Sequence, residues 1–113
     1  LAKEAVLDYR TLGRREGLSL VHVRLHTGRT HQIRVQMASS GCPLYGDQRY
    51  GAHLNRPGQQ LALWSVRMAF LHPVRKTPVE FVSLPPAVYP WNLWDRQVFT
   101  AGWESSRREE EGR

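Results

Sequence analysis

Five side chains able to donate hydrogen bonds, Arg24, Arg29, His31, Gln32 and Arg34, fall within eleven residues of a 113-residue chain. They stand in "RLHTGRTHQIR", where an alternating apolar run meets a Thr-Gly-Arg corner and the pattern changes. Gly28 permits a sharp turn there. A helix starting at that corner points free amides and the positive end of its dipole past the strand end, where an anion is favoured. Arg29 adds a fixed cation at the same end. This chemistry suits an anion or a nucleotide. The plainer alternative is that His31 and Arg34 only tie a helix to neighbouring strands. The density of donors favours the anion site. Arg34 has no acid close to it in sequence, so the residues alone predict a carboxylate partner supplied from elsewhere.

Asp47, in "YGDQRYG", is the next group that could act chemically. A lone aspartate can serve as a base or nucleophile. Between Gly and a polar residue it more commonly bonds its own backbone in a turn, and that is the reading adopted. No Ser-His-Asp elbow, phosphate-cradling glycine loop or HExxH pattern occurs. His22, His26, His53 and His72 lack metal-ligand spacing. The four tryptophans could stack bases, but their apolar settings favour packing.

Elements must hold these groups in place. "AVLDYRTLG" (5–13) and "LSLVHVRLHTG" (18–28) alternate like strands around the charged turn "RREG" (14–17) and form an antiparallel hairpin. Thr30 is the expected N-cap of a helix over 31–41, with Gly41 just past its C-cap. Residues 42–58 read as loop, anchored by Tyr45 and Tyr50. Residues 60–73 and 77–86 read as two further strands, and 87–94 as an aromatic closing segment. The fold class is therefore α+β, a mixed or antiparallel sheet of about four strands with one main helix. The domain occupies 1–103, and 104–113 is a charged tail without apolar residues, expected to be disordered.

Composition narrows the function. The net charge is +6, and only Lys3 and Lys76 are lysines, so arginine carries the positive charge. Arginine grips phosphate with two parallel hydrogen bonds and stacks on bases, which points to nucleic acid as partner. No apolar run reaches the length of a membrane span. One cysteine excludes an internal disulfide scaffold and suits a reducing, cytoplasmic compartment.

The stretch "TGRTHQIRVQMASSGCPLYGDQRYG" resembles the TGRxHQIRVH...GxPLxGDxxYG signature of RluA-type pseudouridine synthases. "LALWSVRMAFLHPVRKTPVEFVSLPPAVYPW" is similar to that family's later LHAxxLxFxHP segment, and "EAVLDYRTL" to its preceding strand. The resemblance runs from about residue 3 to about residue 94. It implies an enzyme that isomerises uridine to pseudouridine in ribosomal or transfer RNA, with no metal or organic cofactor. It implies that Arg34 ion-pairs with the catalytic aspartate, that Leu63 lines the uridine pocket, and that Arg29, Thr30, His31 and Gln32 contribute substrate contacts. Asp47 matches the aspartate of the Gly-Asp pair, not the nucleophile.

Two features depart from the family pattern. The family's nucleophile lies in an upstream RLDxxTSG segment, which this sequence does not contain, as it lacks the associated base-stacking tyrosine. Trp64 stands where the family usually has the His of LHA. The expectation is thus the C-terminal half of a synthase domain, inactive on its own. The alternative is a non-catalytic RNA-binding module of the same fold.

Overall fold

The computed structural model describes residues 4–100. They fall into two compact units, Leu1–Leu63 and Trp64–Arg113, each taken by itself.

The first unit opens with strands β1 (Leu7–Arg15) and β2 (Leu18–Leu25), paired antiparallel from Leu7↔Leu25 to Arg15↔Leu18. Their turn is just Glu16 and Gly17, both left-handed at φ 54° and 74°. Such a turn matches the twist of the strands it joins, so β1 continues through Arg14 and Arg15, which the sequence assigned to the turn. The register shifts between Thr11 and Gly13, a bulge at Leu12. Alternation puts Leu7, Tyr9, Val23 and Leu25 on one face and Asp8, Arg10, His22 and Arg24 on the other. At the open end His26 Nε2 meets Asp8 Oδ2 at 2.6 Å, and the Val6 amide donates to Thr27 Oγ1 at 2.8 Å. β2 ends at Leu25, three residues before the end expected for it.

Helix α1 covers Gln32–Ser39. Its N-cap is His31, in the left-handed region at φ 51° with no side-chain cap bond, rather than Thr30. The physical reason is Gln32. Its side chain folds back so that Oε1 accepts from the Arg29 amide at 3.1 Å and from the Thr27 hydroxyl at 2.7 Å. The corner is closed from inside the helix, and no hydroxyl is needed ahead of it. The other end follows expectation: Gly41 sits at φ 86°, its amide reaches Ala38 O at 3.0 Å, and the Cys42 amide reaches Met37 O at 3.0 Å. That pair of bonds is a Schellman ending. Met37 and Leu20 are buried.

The chain from 42 to 63 has no strand or helix, yet one side chain organises it. Asn55 donates through Nδ2 to the carbonyls of Leu44, Asp47 and Gly51, and its Oδ1 accepts from the Gly46 amide at 2.8 Å. Gly46 lies at φ 79° with the Gln60 carbonyl where a Cβ would stand, so only glycine fits.

In the second unit β3 (Arg67–Leu71) pairs with β4 (Pro78–Val82), antiparallel from Arg67↔Val82 to Leu71↔Pro78. Both are shorter than the sequence suggested. His72 Nδ1 accepts from the Val74 and Arg75 amides at 3.2 and 3.1 Å and shapes the connection. Phe70 stacks on Phe81, with ring centroids 6.1 Å apart. Beyond a short 3-10 turn, Trp91–Leu93, the Trp91 ring meets buried Phe99 edge-on at 5.9 Å. The α+β class is observed. The four strands, however, form two separate two-stranded sheets among the described residues, each ladder closed by its own hairpin, rather than one sheet of four. Trp103 and the charged tail lie outside the described residues. No helix among the described residues is long and apolar enough to cross a membrane.

Candidate functional site

The Gly28 corner, the first turns of α1 and the chain near Leu61 surround a cavity of about 270 Å³. Leu25, Ile33, Leu61 and Leu63 give it apolar walls, and Arg29, His31, Gln32 and Arg34 supply its polar atoms. An apolar recess with a few convergent polar groups is the usual form of a small-molecule or nucleobase site.

Arg34 sits one helical turn along α1 and lines this cavity with its side chain about four-fifths covered. Its guanidinium is not without an acid. Nε donates to Asp47 Oδ2 at 3.0 Å and Nη2 to Asp47 Oδ1 at 2.9 Å, a parallel two-bond pair. This corrects the expectation that no nearby segment supplies Arg34 with a carboxylate. The 13-residue separation hides the pairing until the 42–63 loop folds back.

Asp47 is completely buried. Its Oδ1 also accepts from the Arg49 and Tyr50 amides at 3.1 and 3.0 Å, which is the turn-capping role read from the sequence. The Arg34 hydrogen bond is the main reason its carboxyl is held at about 2, with the two amides helping and burial opposing. The same pairing raises Arg34. Asp47 is therefore a fixed anion, a poor base and an enclosed one.

Tyr50 completes the cluster. The Arg34 and Arg49 Cζ atoms each lie 5.3 Å from its ring centroid. Its hydroxyl lies 3.1 Å from His31 Nδ1, and the two rings meet at 78°. His31 thus faces the cavity while leaning on the loop that holds Asp47.

The remaining sequence candidates divide. Arg29 borders the cavity, and its Nε donates to Glu4 O at 3.0 Å. Leu63 is a wall residue, partly exposed. Gln32 is present but buried at 5 %, with Oε1 committed to the corner. Thr30 is exposed and does not line the cavity. Asp47 as partner of Arg34, Tyr50 as support, and Leu25, Ile33 and Leu61 as walls were not read from the sequence. One signal was present: Asp47 is the only acid between Glu16 and Glu80, inside a strongly basic stretch. Among the described residues no three His, Cys, Asp or Glu side chains converge to hold a metal ion.

Comparison with known proteins follows the same residues. The family model for RNA pseudouridylate synthase matches residues 2–39, which include β1, β2 and α1. The chain is 40% identical over 97 residues to the ribosomal large subunit pseudouridine synthase D of Xylella fastidiosa, covering 74% of this chain and 29% of that protein. It is 40% identical over 92 residues to the synthase of the same name from Zymomonas mobilis, with the same coverage. It is 37% identical over 103 residues to an uncharacterized RNA pseudouridine synthase of Aquifex aeolicus, covering 79% of this chain and 33% of that protein. The chain thus spans about a third or less of the length of these relatives.

Proposed function

This chain belongs to the RNA pseudouridine synthase family, and from that premise we propose that it forms the C-terminal portion of a catalytic domain that isomerises uridine to pseudouridine in ribosomal or transfer RNA. The observation that carries this reading is Arg34, a guanidinium fixed on one edge by buried Asp47 while it lines an apolar cavity. In this reading the nucleophilic aspartate comes from another segment of the domain. A carboxylate entering so apolar a recess tends to take up a proton, and a guanidinium beside it keeps it ionised and aimed. The target nucleotide leaves its stack to reach the recess. The aspartate attacks ribose C1′ as the bond from C1′ to the base nitrogen breaks; the base turns, its carbon displaces the aspartate from C1′, and the proton lost from that carbon is matched by one taken up at the freed nitrogen. No atom is gained or lost overall, and the reading requires no metal or organic cofactor.

Leu63, with Leu25, Ile33 and Leu61, would bound the flat faces of the base. Arg29 and His31 stand at the polar side, suited to phosphate or cleft contacts. Gln32 also borders the recess and Thr30 stands exposed beside it, and in this reading both add substrate contacts. A cytoplasmic location fits RNA as partner.

The test uses the longer protein that contains this stretch. Arg34→Ala should abolish pseudouridine formation while RNA affinity changes only a few-fold. Arg34→Lys should fail as well, since a point charge does not replace a planar fork. Equal losses of turnover and affinity would mean that Arg34 merely holds phosphate. The 113-residue chain alone should convert no uridine. A longer protein that binds RNA with steep salt dependence yet forms no pseudouridine would instead be a non-catalytic RNA-binding module.

A further inference from the structure

We propose that Asp47 is a positioning residue: it occupies one edge of the Arg34 guanidinium so that only the other edge can receive the nucleophilic carboxylate. The inference rests on the synthase reading above and adds a residue and a geometry to it. A guanidinium offers two edges with paired donors, one formed by Nε and Nη2 and the other by Nη1 and Nη2. Asp47 fills the first with both oxygens, at 3.0 and 2.9 Å. Among the described residues no acceptor meets Nη1, and the group borders the cavity.

The placement is rigid for reasons independent of Arg34. Asp47 Oδ1 is bound by two backbone amides, and the Asp47 carbonyl accepts from Asn55 Nδ2 at 3.3 Å and from the Gly51 amide at 3.1 Å. Tyr50, three residues on, presents its ring to the same guanidinium and is itself held by His31. An arginine side chain has several rotatable bonds and would otherwise sample many orientations. Here Asp47 on one edge and the Tyr50 ring fix the fork before substrate arrives, which is the preorganisation an active site needs. Because Asp47 is fully buried, water does not compete for the oxygens that hold Arg34.

The experiment compares two variants of the longer active protein. Asp47→Asn keeps the shape and the turn bonds but removes the charge and one of the two guanidinium acceptors. Leu20→Ala weakens the buried core of the same unit without touching the ion pair or its loop. Asp47→Asn should lower kcat at least 30-fold with KM within about 3-fold of the unaltered protein. Leu20→Ala, compared at equal loss of melting temperature, should keep kcat within about 3-fold. Should the Asn variant fold poorly, Asp47→Glu retains the charge but displaces the fork, and a tenfold loss of kcat is expected. Unchanged kcat in folded Asp47→Asn or Asp47→Glu, or an equal loss in Leu20→Ala, would overturn the positioning role and leave the synthase reading standing. An unaltered longer protein that forms no pseudouridine would overturn both.

Discussion

The two units solve the problem of a small core in opposite ways. The first, Leu1–Leu63, is held by polar bonds that close on themselves: the Arg34–Asp47 pair, the Asn55 hub and the Gln32 corner. The second, Trp64–Arg113, has a hairpin whose apolar side chains stay well exposed, with Met68 at 56 % and Phe81 at 59 %. A polar network loses much when one member is removed, because the partner is left buried and unsatisfied. An exposed apolar side chain loses little. The unit with the network is also the unit with the cavity, so stability and chemistry depend there on the same atoms.

That contrast can be broken or sharpened by substitution. Asp47→Ala should have the largest effect, about 3 kcal/mol in urea unfolding, because it strands the covered Arg34 charge and frees two amides. Gly46→Ala should follow at about 2 kcal/mol, since a left-handed φ and the Gln60 carbonyl both oppose a Cβ. In the second unit Phe81→Ser should cost less than about 1 kcal/mol despite removing an aromatic ring. A loss for Phe81→Ser as large as for Asp47→Ala would erase the distinction between the units.

Acid gives a finer comparison. Asp47 has its folded value lowered to about 2, so its stabilisation is complete above its ordinary value near 4 and is lost as pH falls toward 2. His22 is also lowered, chiefly by burial and then by Arg10 and Arg24. For a histidine that means the unfolded chain binds the proton first, so stability is full above about 6.5 and declines as pH falls below it. Melting temperature should therefore drop in two stages on acidification. His22→Gln should remove the upper stage and Asp47→Asn the lower. A single stage in the unaltered chain would contradict this.

Legibility in the sequence followed the range of the interactions. The β1–β2 hairpin was readable because alternation and a glycine turn are local signals. So was Gly41, whose left-handed role is set by its immediate neighbours. Arg34 was found from its place at the corner and from resemblance to a family signature. Its partner was not, because Asp47 reaches it through a loop shaped by Asn55 and Gly46, contacts that no local periodicity encodes. Thr30 was misread as the cap because a glutamine inside the helix does that work, a pattern outside the usual Ser/Thr/Asp/Asn preference. A single four-stranded sheet is not seen among the described residues, and the sequence could not decide it: alternation announces a strand but says nothing of which edge it joins.

The Schellman ending of α1 leaves Cys42 exposed just beyond the helix, and it is the sole sulfhydryl of the chain. A maleimide dye coupled there would stand past the far end of a helix about 12 Å long, opposite the His31 end. Nucleotide or RNA docking could then be followed by fluorescence without altering any side chain of the recess.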